Sequence, residues 1–337
     1  MQDFADYLKI IGRGQRAGRY LTLDEAQTAY TMVLNGQATP AQVGAFLMLL
    51  RVREESHIEL AGFVNAARAQ VTFEWQALGV DLDLGGYAGK RRHLPWYVLA
   101  ALCLAQHGYR IFMHSHAEGQ SQRLYLDTVF RELGLPIATH ATEAKQQLAT
   151  HNLVYAPLYA VLPALSQVMD MRAELGLRSS ANTIARMLNP AQARVSFHGV
   201  HHRHFDERHA LTAQELGDSV VACIRGEGGE PEMNPERDCQ LFRCVEGNII
   251  QELVPAQLPQ WQIKPREMHC NDLRLCWEGN YRSDYADAAI IGSMTQYLIV
   301  LENISYEQAS VRARYLWDQR DPSNMLKTTS TSIDVAS

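Results

Sequence analysis

Lysine is nearly missing from this chain. Of 31 basic residues in 337, five are Lys and the rest are Arg. Its positive charge is therefore carried by planar guanidinium forks, which suit two-point contacts to phosphate or carboxylate. Also missing is any apolar run near the roughly 18 residues that a bilayer span needs. Residues 96–106 and 286–300 come nearest, and both are interrupted by polar side chains. The opening MQDFADYLKIIGRG has no charged-then-apolar signal pattern. These absences predict a cytoplasmic chain with no membrane contact. None of the six cysteines forms a CxxC pair, which favours reduced core thiols over a metal or disulfide framework.

What is present is ordinary globular composition, 47% hydrophobic and 20% charged, over a length that suggests about two domains. The net charge is −6, but it is unevenly spread. Residues 85–210 carry 13 basic and 8 acidic groups, while the flanking segments are both acidic. A positive centre suits an anionic ligand.

The first 70 residues predict short helices. Thr22 with Glu25 and Ser56 with Glu59 are capping boxes, and Thr39-Pro40 supplies an N-cap with proline in the first turn. Val43, Phe46, Leu47 and Leu50 follow at helical spacing. Before them, Arg13, Arg16 and Arg19 fall within seven residues among Gly and Ala, which predicts a mobile basic loop. From residue 80 strands alternate with helices, with strands expected at 80–84, 109–113, 153–156 and 194–199 and helices at 96–107, 124–133 and 213–223. That alternation indicates a parallel sheet with right-handed crossovers. Residues 241–245 and 249–254 predict a hairpin, residues 286–303 and 306–318 two closing helices, and residues 326–337 a disordered polar tail.

Three stretches resemble the anthranilate phosphoribosyltransferase family, also called glycosyltransferase family 3. They are the helical segment 21–70, the strand and glycine turn Val80-Asp81-Leu82-Asp83-Leu84-Gly85-Gly86, and Arg172–Arg178 followed by Leu188-Asn189-Pro190-Ala191. In order they span about residues 8–320. The resemblance implies an α/β fold of the nucleoside phosphorylase and phosphoribosyltransferase type. A helical dimerisation domain (1–73, joined in space by helices around 169–188) would precede a larger α/β domain (78–325) with a mostly parallel central sheet. It also implies a homodimer and a site in the cleft between the domains.

The departures fall on the chemistry. Where the family's phosphate loop has an acid and then two hydroxyls, this chain has Tyr87, Pro95 and Trp96. The family's next lysine is Met113. Where a Mg²⁺-binding Asp-Glu pair is expected stand Pro231 and Glu232, with Glu227 and Glu230 as possible substitutes. In these losses, in Ile11–Gly14 and in the segment 175–183, the chain is similar to a divergent branch of the family that binds nucleic acid as homodimers. Phosphate or nucleic-acid contacts are expected at Arg13, Arg16, Arg19, Gly85, Gly86, Lys90, Arg91, Arg92, His114, Ser121, Arg123, Arg172 and Arg178. No catalytic residue is assigned.

Two functions follow. The first is a non-catalytic homodimer binding DNA or single strands without sequence preference and needing no cofactor. The alternative is an active Mg²⁺-dependent phosphoribosyltransferase acting on an aromatic acid or nucleobase. The histidine clusters 114–116 and 201–204 lack carboxylate or cysteine partners at metal-ligand spacing.

Overall fold

Helix starts in this protein are written into the sequence. Thr22, Thr39, Ser56 and Ser305 each accept from the third helical N–H, and the side chain at that third position reaches back to the cap. The computed structural model describes residues 3–14, 17–119 and 121–326. The N-terminal unit holds α1 (Phe4–Gly12), α2 (Leu23–Leu34), α3 (Pro40–Arg53) and α4 (His57–Arg68), with a single turn α5 (Phe73–Gln76) leading out.

The α/β unit begins with β1 (Leu82–Gly86), α6 (Tyr97–Gln106), β2 (Ile111–Ser115), α7 (Leu126–Leu133), α8 (Ala141–His151) and β3 (Leu153–Pro157). Four short helices return the chain to the N-terminal unit: α9 (Leu158–Val161), α10 (Pro163–Asp170), α11 (Arg172–Leu175) and α12 (Ala181–Arg186). Then come β4 (Val195–Gly199), α13 (Phe205–Leu216), β5 (Val220–Ile224), β6 (Cys239–Val245) and β7 (Asn248–Val254). Helices α14 (Asn271–Glu278), α15 (Asp284–Glu302) and α16 (Tyr306–Asp318) close the fold.

The seven strands lie in the order β3-β2-β1-β4-β5-β6-β7. The first five run parallel, and β6 and β7 form an antiparallel hairpin at one edge. An N-terminal helical bundle therefore joins a larger α/β unit with a mostly parallel sheet. One apolar cluster packs Leu82, Leu84 and Met113 against α6, α7 and α14–α16. The other packs the opposite face of the sheet, through Phe112 and Val154, against α1–α4 and α9–α12. All six cysteines are buried free thiols. Among the described residues, no helix is long and apolar enough to cross a membrane.

Two expectations need correction. Residues 213–223 are not one helix: α13 ends at Leu216, Gly217 turns left-handed, and Val220–Ile224 is a strand. A short apolar run reads equally well as buried helix or buried strand. Gly85 and Gly86 form the end of β1 rather than a turn. A Cβ on Gly86 would lie 2.5 Å from the Tyr97 hydroxyl, so the glycine is required by close approach. Within the bundle, Phe46, Leu47 and Leu50 of α3 are fully buried. Arg16 and the tail 327–337 lie outside the described residues.

The sheet face toward the bundle carries a buried polar seam. The Tyr87 hydroxyl lies 2.6 Å from His114 Nδ1, and His114 Nε2 lies 3.1 Å from Asp83 Oδ1. Ser196 donates to Asp83 Oδ2 (3.0 Å) and contacts His198 Nε2 (2.9 Å); His198 Nδ1 then meets His209 Nδ1 (3.2 Å). Proton counting orients this chain. Ser196 gives its one proton to Asp83, so it accepts from His198 Nε2–H, and the bare His198 Nδ1 accepts from His209. Burial drives both rings toward neutrality, His209 down to about 3 and His198 well below its ordinary value.

This seam makes the fold acid-sensitive. Unfolded histidines take up protons below about pH 6.5 while the folded ones stay neutral. Each such ring therefore costs up to about 1.4 kcal/mol of stability per pH unit as pH falls through that window. His93, held down to about 4 chiefly by burial, adds to the loss. Glu55 and Glu232 are raised by burial and oppose it, because they hold protons that the unfolded chain releases. The histidines outnumber them, so the urea midpoint is expected to fall from pH 6.5 to 4.5. The fall should shrink when His198 and His209 are both replaced by Gln.

Candidate anion-binding site

The C-terminal end of β1 feeds a tight loop, Tyr87 to Arg92, whose backbone amides face inward. In a phosphate-binding loop such amides form an anion nest. Here the nest is filled from within. Glu230 Oε1 accepts from the Ala88 N–H at 2.9 Å and from the Gly89 N–H, and its other oxygen lies 3.3 Å from the Tyr97 hydroxyl. Gly89 turns left-handed with φ +71°. Glu230 reaches the nest because its own loop is pressed onto β4 and β5. A Cβ on Gly199 or Gly226 would overlap the Glu230 backbone, at 2.1 and 1.8 Å.

The next acid is also engaged. Glu232 Oε1 lies 2.5 Å from Lys90 Nζ, and Oε2 accepts from the Tyr97 N–H at 2.9 Å, at the start of α6. Lys90 and Glu232 are 1% and 0% exposed. The pair is further pinned by backbone bonds between Lys90 and Leu124 in both directions. Burial raises Glu232 to about 7 despite the attraction of Lys90. Glu227 accepts from the Asn234 amide at 2.7 Å.

The three acids therefore do not fit the Mg²⁺ that the resemblance implies. Two of them spend their oxygens on amides and an ammonium, and Mg²⁺ demands near-octahedral oxygen ligation with retained waters. Among the described residues, no group of three or more His, Cys, Asp or Glu is placed to hold a metal ion.

Beside the filled nest lies a cavity of about 200 Å³. Four arginines from different segments line it: Arg51 of α3, Arg123 before α7, Arg178 before α12, and Arg186 of α12. Arg123 and Arg178 donate to the Ala88 carbonyl, each at 2.8 Å. Arg178 also pairs with Glu118 at 3.0 Å, and Arg172 contacts the same carboxylate. A second cavity of about 350 Å³ opens beside it, lined by His116, Glu118, Ser121, Asp170 and Arg172.

The structure thus gathers Arg123, Ser121, Arg172 and Arg178 around one cleft. Arg91 and Arg92 are exposed. Arg91 stands close enough to help lower the affinity of Arg123 and Arg172 for their protons, after burial and Arg178. The remaining candidates fall elsewhere. Lys90 is not part of an exposed basic surface, since its charge is buried against Glu232. His114 is sealed between Tyr87 and Asp83. Gly85 and Gly86 lie at the end of β1, where Tyr87, His114, Tyr97 and Leu126 approach them closely. Arg19 is held two-pronged by Glu25, and Arg13 is an exposed residue capping α1. Sequence reasoning missed Arg51, Glu118 and Arg186. The signal for Arg186 was a lone arginine within an otherwise uncharged helical segment, residues 181–188.

Comparison with known proteins agrees with this architecture. Residues 5–71 match the glycosyl transferase family helical bundle domain. The anthranilate phosphoribosyltransferase of Methylocella silvestris is 33% identical over 292 residues, covering 84% of this chain and 82% of that protein. The uncharacterized protein YbiB of Escherichia coli K12 is 28% identical over 252 residues, covering 74% and 76%. The solved anthranilate phosphoribosyltransferase of Saccharomyces cerevisiae in complex with PRPP and Mg has the same fold, with a TM-score of 0.73 at 14% identity over 96% of this chain and 95% of that one. With a third of the aligned residues identical across most of both lengths, this chain belongs to the anthranilate phosphoribosyltransferase-like glycosyl transferase family.

Proposed function

We propose that this chain is a non-transferring member of its family that binds phosphate-bearing polyanions, nucleic acid above all, through the arginine-lined cleft. The observation that carries the reading is the buried Lys90–Glu232 pair. An ammonium stands against the one acid that the sequence retains from the family's metal-binding pair. Next to it Glu230 fills the amides that a pyrophosphate would need. A phosphodiester backbone requires neither metal nor amide nest, and Arg91, Arg92 and the cleft arginines supply direct contacts to it.

The transferase reading is favoured by the 33% identity to an anthranilate phosphoribosyltransferase and by the retained Glu232. It requires the Lys90–Glu232 pair to open and Glu230 to leave the nest. Calorimetric titration with phosphoribosyl pyrophosphate and Mg²⁺, with an anthranilate transfer assay, separates the two. We expect no Mg²⁺-dependent binding and no transfer; either one establishes the transferase.

The same pair yields a stability cycle. Glu232→Gln leaves a buried ammonium without a counter-charge, so a loss of about 3–5 kcal/mol is expected. Lys90→Met costs less, because Glu232 can take up a proton. The double variant should recover most of the loss, as buried pairs replaced together often do. Urea unfolding of the three variants measures this, and additive losses would show that the two side chains are not coupled.

For nucleic acid, Arg91→Ala with Arg92→Ala should weaken binding to unrelated duplexes by similar factors. It should also flatten log affinity against log salt by up to about 0.9 per lost phosphate contact. A fluorescence titration at two salt concentrations reads both; an unchanged slope removes these residues from the interface. We also propose a homodimer through the bundle. This rests on the incompletely buried Leu8, Met48 and Leu49 of α1 and α3, since the fully buried residues of α3 do not argue for it. Sedimentation as a monomer at micromolar concentration would exclude it.

A further inference from the structure

Arg186 is the least explained charge in the molecule. It is 8% exposed, and its guanidinium has no ion-pair partner among the described residues. Its one hydrogen bond goes to the Asn182 carbonyl at 2.7 Å, and its Nε has none. The Asn182 side-chain amide, also buried, has an unpartnered NH₂. Both residues line the 200 Å³ cavity. A buried cation without a counter-charge is costly, as is a buried donor without an acceptor. Several such groups lining one cavity are complementary to an anion rich in acceptor oxygens.

The neighbours reinforce this. Arg51, Arg123 and Arg178 line the same space; among the described residues Arg178 alone of these makes an ion pair, with Glu118, while Glu230 acts on Arg123 and Arg186 only from a distance. Burial and the field of Arg178 hold the Arg186 guanidinium down to about 10, which leaves it cationic at neutral pH. His209, at the cavity wall, adds no charge: the seam takes its Nδ1 proton, and burial and the arginines keep it neutral. The cavity is about 200 Å³. That is room for a phosphate group and a small substituent, and far too little for a duplex.

We propose that this cavity is a dedicated site for one phosphate group, gripped by the Arg186 and Arg123 guanidinium groups and the Asn182 amide. It rests on the reading of the cleft as an anion-binding site, and is separate from the loop nest that Glu230 fills. The phosphate belongs either to a small sugar phosphate or to the end of a nucleic-acid strand, since the recognising groups are the same for both.

The test uses the full chain in phosphate-free buffer, with inorganic phosphate as probe, read by thermal unfolding and calorimetry. Phosphate should raise the Tm of the parent protein. Arg186→Met should raise the Tm without ligand, because it removes an uncompensated charge, and should weaken phosphate by at least about tenfold. A purely structural arginine would give a lower ligand-free Tm and unchanged phosphate binding. Asn182→Ala leaves the charge in place and should weaken phosphate severalfold, which guards against misfolding of the first variant. Ribose 5-phosphate binding more tightly than inorganic phosphate indicates the sugar-phosphate source. A 5′-phosphorylated single strand outcompeting its 5′-hydroxyl twin, with the advantage lost in Arg186→Met, indicates the strand end. Unchanged phosphate affinity in Arg186→Met overturns the site even if oligonucleotides still bind. Loss of oligonucleotide binding with the phosphate response intact overturns the nucleic-acid reading alone.

Discussion

One buried contact, Lys90 Nζ against Glu232 Oε1, fixes the chemistry of the cleft. The chain has five lysines, and one of them is placed where it is almost wholly removed from water. An ammonium in that position is stable only because Glu232 faces it and because the Lys90 backbone is tied to Leu124. From this contact the rest of the loop follows. The loop lies close to the strand that precedes α6, so Tyr97 can donate to the second oxygen of Glu232. The neighbouring Glu230 then meets the Ala88 and Gly89 amides. Anion and cation demand are both met internally, and the open positive charge is displaced to the arginine cavity a few residues away.

The two halves of the cleft obey different rules. Around Lys90 and Glu232 charges are matched, and the local structure is closed. Around Arg186 they are unmatched, and a cavity remains. The polar seam beneath them belongs to the first kind. From Ser196 to His209 each proton has an acceptor in an assignable direction, while His114 Nε2 and Asp83 Oδ1 meet as a 3.1 Å contact without hydrogen-bond geometry. Asp83 of β1 touches His114 of β2 and Ser196 of β4, which keeps the three strands aligned at the ends from which both loops spring.

The helix starts at Thr22, Thr39 and Ser56 were legible because capping is local: four consecutive residues carry the whole signal. The strand at Val220 was not, because its apolar run carries no period, and only pairing with β4 and β6 makes it a strand. The same contrast holds at the site. Arg123, Arg172 and Arg178 could be placed from motif order. The partner of Lys90 could not, because Glu232 lies 142 residues away and a basic run reads equally well as solvated charge. The loss of the loop acid at Tyr87 was visible. That Tyr87 had instead become the end of a buried hydrogen-bond chain was not, since no spacing rule links it to Asp83, Ser196 and His209.

The interlocked glutamates and lysine also constrain which substitutions the cleft accepts. Opening it to a metal ion would require replacing Lys90, withdrawing Glu230 and supplying a second acid near Glu232. Withdrawing Glu230 alone empties an amide nest in a dry interior, whereas replacing Lys90 alone is milder because Glu232 can take up a proton. The buried pair thus ties these positions together, so that the order in which they are substituted decides whether the loop stays closed.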